Sequence, residues 1–276
     1  MADLTSVIDQ VGKWPVGVAA AAAVGPTGVL AATGPQNRQF PLASVTKPLA
    51  VLSALVAVEE GALELGDVAD EDLVPGATVR HLMSHASGLA PDELRRMFPL
   101  ASRRVYSHVG IELLADLVAR AVGMPFGTYF YESLARPLGL RDTHLAGSPA
   151  RDGVASVEDL ARVATELLAP SGWLDTVTLA EAASVQYRGL RGVLPGYGSQ
   201  NPNDWGLGFE IRSGKHPHWT GTHNSQSTYG HFGLSGSMLW VDPERRLGLV
   251  ALADRSFGEW AKTAWPALSD AVLAAA

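Results

Sequence analysis

Two stretches with the pattern of a β-hairpin lie near opposite ends of the chain, and most of what separates them has the periodicity of helix. Residues 16–24 read as a strand, Gly25, Pro26, Thr27 and Gly28 as a turn, and residues 29–33 as the return strand. Residues 237–241 and 247–252 make a second pair around Asp242, Pro243, Glu244 and Arg245, and residues 207–211 read as a further strand. Strands separated in this way can share one sheet. The pattern therefore predicts an α/β fold of the α+β kind: an antiparallel sheet built from both termini and flanked by helices, with a mainly helical lobe inserted. The 276 residues divide as one domain with two lobes, 1–42 plus 200–276 forming the α/β lobe and 43–199 the helical lobe.

Helix signals fill the middle. A short amphipathic helix is expected over 4–11. From 45 to 60 the apolar residues recur at helical spacing and Gly61 closes the run. Residues 63–76 are an acid-rich loop, and 79–83 begin a helix that stops near Gly88. Residues 107–122 are a strong helix ended by Gly123, with Pro125 just beyond. Ser156 and Asp159 have the spacing of a capping box, and Leu160, Val163, Ala164, Leu167 and Leu168 follow on one face. A last helix covers about 258–273, with Pro266 as an expected kink.

Composition narrows the function classes. Hydrophobic residues make up 47% and charged residues 18%, enough apolar material for a sizeable core. The net charge of -7 argues against a nucleic-acid partner. The absence of cysteine excludes disulfides, thiolate nucleophiles and Cys-type zinc sites. The N-terminal residues show no basic region followed by an apolar run, and 16–24 is too short to span a bilayer, so a soluble cytoplasmic protein with no membrane partner is expected. No pattern in the chain names an oligomeric state.

The chemistry-bearing stretch is LASVTKPL at 42–49. If a helix starts at Ser44, Lys47 sits beside it on the same face. The free N–H groups and positive dipole end of the helix stabilise developing negative charge. Serine is a poor nucleophile until a base takes its proton, and a lysine can be that base if burial lowers its pKa. Ala43, Val45, Leu49 and Ala50 supply that burial. Two further motifs follow in order, Tyr106-Ser107-His108 just before the 107–122 helix and His231-Phe232-Gly233 ahead of the 237–241 strand.

With these three motifs the chain resembles the serine β-lactamase and penicillin-binding-protein superfamily, closest to the branch of class C-like β-lactamases, esterases and D-amino-acid-type peptidases. Ser44-Val45-Thr46-Lys47 matches its Ser-x-x-Lys, Tyr106-Ser107-His108 its Tyr-x-Asn, and His231-Phe232-Gly233 its Lys-Thr-Gly or the His-x-Gly of the esterase-like branch. HLMSHASGL at 81–89, RPLGLRDTHL at 136–145, WGLGFEI at 205–211 and LWVDPERRLGLV at 239–250 extend the resemblance over nearly the whole chain. The resemblance implies that Ser44 attacks a carbonyl, that Lys47 and Tyr106 relay its proton, and that the backbone N–H groups of Ser44 and Leu234 form the oxyanion hole. His108, His231 and Gly233 would contact substrate, and no cofactor or metal is implied. A tyrosine near a cationic lysine should have its pKa pulled down.

Two departures from the family pattern bear on activity. His108 replaces the asparagine, and a protonated imidazole there would repel Lys47, which points to pH-dependent activity. His231 replaces a lysine that meets carboxylates, which favours neutral esters or amides over β-lactams and peptides. The expected partner is a small-molecule ester, amide or β-lactam. The alternatives are a β-lactamase or D,D-peptidase, and a catalytically weak protein that binds or senses acyl ligands.

Other candidates read as structural. His216 and His218 would share a strand face that could ligate a metal, but a surface or pocket-rim loop fits KHPHWTGTH better, with no carboxylate close in sequence. Glu158 and Glu166 read as solvated residues of a surface helix. His81 and His85 read as packing. Trp205 and Trp219 are core or acyl-pocket wall, and Trp240 is core. Arg95, Arg96, Arg103 and Arg104 read as a solvated basic loop.

Overall fold

The computed structural model describes residues 3–276. Among the described residues there are eleven strands: β1 (Ala19–Gly25), β2 (Gly28–Thr33), β3 (Phe40–Pro41), β4 (His144–Leu145), β5 (Gly153–Ala155), β6 (Gly192–Leu194), β7 (Gly198–Gln200), β8 (Glu210–Ile211), β9 (Tyr229–Gly233), β10 (Ser237–Asp242) and β11 (Leu247–Ala253). The helices are α1 (Leu4–Ile8), α2 (Thr46–Glu59), α3 (Val79–Met83), α4 (His108–Val122), α5 (Phe126–Phe130), α6 (Val157–Leu168), α7 (Thr176–Ala182) and α8 (Glu259–Ala275).

The two ends of the chain meet in one six-stranded sheet of order β2-β1-β11-β10-β9-β8. Its central seam is antiparallel pairing of β1 with β11, from Ala19 opposite Ala253 to Val24 opposite Gly248. Side chains alternate across the sheet. Ala20, Ala22, Val24, Leu239, Val241, Val250 and Leu252 face a core shared with α2, α4 and α6. Ala21, Ala23, Met238, Trp240, Leu249 and Ala251 face a second core closed by α1 and α8, with Trp219 and Trp265 inside it. Strand β1 is buried on both faces, which is why its sequence is a continuous apolar run instead of an alternating one. No helix of the described residues is long and apolar enough to cross a membrane.

Most elements begin and end where the sequence signals them. The Ser107 side chain caps α4 by accepting the Gly110 N–H, and Gly123 closes that helix in the left-handed conformation, φ +71°. The Ser156 hydroxyl accepts the Asp159 N–H at 3.3 Å. Helix α8 runs through Pro266 as one element.

Several expectations need correction. Within 207–211 only Glu210 and Ile211 are strand, because Gly208 turns the chain at φ +77° and brings Trp205 opposite Glu210. Strand β9 was not anticipated, since the two glycines and the histidine of YGHFG mask its period. Glu166 is buried, not solvated, and its carboxylate accepts the Ser171 N–H at 2.8 Å. Arg104 is buried too. Its guanidinium donates to the carbonyls of Ser84 (2.5 Å), Gln186 (2.7 Å) and Asn203 (3.2 Å), tying three segments together.

Candidate active site

Ser44 occupies a 3₁₀ turn, Ala43–Val45, that runs directly into α2. Ala43 is held at φ +46°, a left-handed conformation that costs an alanine about 1–2 kcal/mol and survives only where the surroundings impose it. They do so on both sides. The Thr46 hydroxyl donates to Ala43 O at 2.6 Å and accepts the Gly153 N–H at 2.9 Å, while the Ser237 hydroxyl donates to Leu42 O at 2.6 Å. The turn lies against β9 so closely that a Cβ on Gly233 would come within 2.2 Å of Leu42 O. Gly233 is therefore the residue that lets the serine turn and the third motif touch.

Lys47 is fully buried. Its Nζ lies 3.4 Å from the Ser44 Oγ, 2.9 Å from His108 Nδ1 and 2.7 Å from Ala150 O. Burial, then the nearby Arg151 charge, hold this amine well below the usual lysine range, although Glu112 and Asp92 oppose the shift. His108 is brought down to about 4, mainly by burial and next by Lys47. It is neutral near pH 7, so the repulsion expected of a protonated His108 is confined to acid pH.

Tyr106 stands on the approach to α4, packed among His85 (4.8 Å between ring centroids), Trp205 (5.6 Å) and His231 (5.7 Å). The His231 Nδ1–H donates to Phe232 O at 2.7 Å, which leaves Nε2 to accept the Tyr106 O–H at 3.3 Å. His231 is lowered to about 3, first by burial and then by Lys47. The expected downward pull on Tyr106 is absent. Burial pushes its pKa up and outweighs a hydrogen bond from Ser44. The lysine that would have supplied the pull is itself driven toward its neutral form by the same burial.

These groups converge on a cavity of about 130 Å³ lined by Ser44, Tyr106, His108, Trp205, Glu210 and His231, among others, with Leu234 at its mouth. Among the described residues, neither the Ser44 nor the Leu234 N–H donates to another group of the chain. The structure thus brings together every residue singled out from the three motifs.

It also adds residues that the sequence reading passed over. Glu210 is a buried carboxylate in the cavity wall. One of its oxygens takes the Lys215 ammonium, and the other takes His218 Nε2 at 2.9 Å and Trp219 Nε1 at 3.0 Å. The carboxylate partner of KHPHWTGTH was therefore eight positions back, in an otherwise apolar stretch, where a lone acid is itself the signal. His216 is exposed while His218 is buried, so the two do not share a face. No group of three or more His, Asp or Glu side chains among the described residues is placed to hold a metal. His85 lies under Tyr106 and its Nδ1 accepts the Ser107 N–H at 3.3 Å, so its packing positions the second motif.

The chain is similar to known proteins in sequence and in fold. A crystallised beta-lactamase from Mycobacterium bovis is 51% identical and superposes with a TM-score of 0.94, covering 97% of this chain and 98% of its own. Esterase EstB of Burkholderia gladioli is 24% identical in an alignment covering 87% of this chain and 83% of the esterase. Penicillin-binding protein 4* of Bacillus subtilis is 29% identical over 40% of this chain, and the match spans only 31% of that relative's length. The Beta-lactamase family model matches residues 5–273, and with the three motifs meeting in one cavity inside that span, the chain belongs to the beta-lactamase family.

Proposed function

We propose that the protein is a serine hydrolase that cleaves small neutral esters or amides through an acyl-serine, without a cofactor. The observation that carries this reading is a fully buried Lys47 amine, held well below its usual pKa, 3.4 Å from the Ser44 hydroxyl. A neutral amine has two N–H groups and one lone pair. Ala150 O and His108 Nδ1 take the two N–H groups, which leaves the lone pair for the Ser44 proton. The two ring nitrogens of His108 divide the work of the family's asparagine: Nδ1 holds the lysine and Nε2–H is free to donate to substrate.

Ser44 Oγ bonds to the carbonyl carbon as its proton passes to Lys47, and the oxyanion is held by the Ser44 and Leu234 N–H groups. The bond to the leaving group breaks as that group takes the Tyr106 proton, which Lys47 restores. Water then repeats the sequence on the acyl-enzyme. Tyr106, with its high pKa, works as a relay that gives up a proton only while gaining another.

Two features support a neutral substrate at the reacting centre: His231 carries no charge at neutral pH, and Glu210 places a carboxylate in the cavity wall. A second reading, β-lactam hydrolysis, draws on the 51% identity to the protein described as a beta-lactamase. Turnover of p-nitrophenyl acetate and of a chromogenic cephalosporin, by wild type and by Ser44→Ala, tests both. Ester turnover should fall by at least about a thousandfold in the variant, with the cephalosporin cleaved more slowly by wild type than the ester. A cephalosporin rate above the ester rate would replace the first reading with the second, and equal activity of both proteins on both substrates would sink the hydrolase. His231→Lys should shift the ratio toward the anionic cephalosporin by about tenfold, since one charge-assisted contact is gained.

A further inference from the structure

A second cavity of about 410 Å³ adjoins the first. Tyr106 and Pro195 line both, so the two spaces meet at the tyrosine. The wall of the second is apolar, formed by Met97, Phe98, Val105 and Val193. Met97 and Val193 are exposed at 42% and 60%. Among the described residues, the charged ones that line it are all arginines: Arg103, Arg104 and Arg191. Arg104 is committed to backbone carbonyls. Among the described residues, Arg103 and Arg191 have no carboxylate within ion-pair distance. The Arg103 guanidinium lies over the Phe98 ring, 4.7 Å from its centroid.

Local backbone structure builds this arrangement. The Arg104 N–H donates to Arg191 O at 2.9 Å, and a Cβ on Gly192 would come within 2.4 Å of Arg104 O. Two segments far apart in sequence are thus pressed together at a glycine, which brings Arg103 and Arg191, both without a carboxylate partner among the described residues, into the lining of one apolar space. In a chain of net charge -7 that is a local reversal of sign. In the wall of the first cavity, by contrast, the Glu210 carboxylate is paired with Lys215.

We propose that this second cavity is a leaving-group subsite for an aromatic or short aliphatic alcohol or amine whose far end carries a carboxylate. The inference rests on the hydrolase reading above. Tyr106 protonates the departing oxygen or nitrogen, so the departing group lies next to Tyr106, and the space beyond it is this cavity. The apolar wall covers the body of the group while Arg103 and Arg191 take its anion in charge-assisted hydrogen bonds. The substrate is neutral where the bond breaks and anionic at its distal end.

The test compares 3-acetoxyphenylacetate with its primary amide, whose phenols differ little in acidity. Wild type should favour the carboxylate in kcat/KM by about tenfold, the effect of one charge-assisted hydrogen bond. That preference should shrink in 0.5 M salt and fall to about one in the Arg103→Gln/Arg191→Gln double variant. Equal or faster cleavage of the amide by wild type overturns the proposal, as does a preference that persists in the double variant. If neither ester shows Ser44-dependent turnover, calorimetry with the product 3-hydroxyphenylacetate and its amide reads the cavity alone. Tighter binding of the anion to wild type, lost in the double variant, supports the subsite while the hydrolase reading falls. No preference there overturns the subsite.

Discussion

Lys47→Met is expected to lower Ser44-dependent ester turnover by at least about a thousandfold while shifting the unfolding temperature by no more than a few degrees. Methionine keeps the length and volume of a side chain that is fully buried, and it removes a desolvated amine whose burial is itself costly. Loss of a general base that acts directly on a nucleophile costs about 10³-fold or more. The pH profile separates a base from a structural residue. Activity needs the free amine, so kcat/KM should rise with pH through the pKa of Lys47 and then level off. Burial sets that limb well below the ordinary lysine value of 10.5. His108 and His231, held at about 4 and about 3, are already neutral above about pH 5 and add no step there. The limb should disappear from the residual activity of Lys47→Met. A profile in which wild type and variant share the same limb would remove Lys47 from the base role.

Glu210→Gln should destabilise the protein by about 3–5 kcal/mol, because it strips the partner from a buried cation and leaves the Lys215 ammonium uncompensated. Burial alone would push this carboxyl up, but His218 and Lys215 outweigh it and hold the group far below the usual carboxylate range. A depressed carboxyl contributes stability that is complete above its unfolded pKa of about 4 and is lost as pH falls through the folded value. Denaturant unfolding at pH 7 and pH 4 measures both effects: the wild-type advantage over Glu210→Gln should be full at pH 7 and smaller at pH 4. Adding Lys215→Met to Glu210→Gln should restore part of the loss, since the orphaned charge goes with it. Additive losses in the double variant would mean that the pair is not coupled as the geometry indicates.

How far the sequence could be read depended on the range of the interaction involved. Ser44 and Lys47 are three positions apart, and helix geometry alone placed them side by side. Ser107 and Gly123 bounded α4 through hydrogen bonds and a backbone conformation set within a few residues. The pairing of β1 with β11 joins opposite ends of the chain, yet it was foreseeable because a sheet needs partners and the two hairpin patterns were the available ones. Strand β9 escaped because a strand's identity there comes from the neighbours it fits between, not from its own glycine-rich composition. Arg104 and Glu166 were misread as solvated because their partners, backbone carbonyls and an N–H group, leave no trace in composition.

The α+β architecture was legible in the sequence itself, through periodicity that acts along the chain, and the candidate nucleophile through the resemblance of three ordered motifs to those of the family. Which groups are charged was decided only by the tertiary structure. Tyr106 moves up and Lys47 moves down because both are desolvated by segments remote in sequence. Glu210 stays ionised because Lys215 and His218 fold back onto it. Protonation follows the dielectric and the neighbouring charges in three dimensions, and neither quantity exists until the chain has closed around the site.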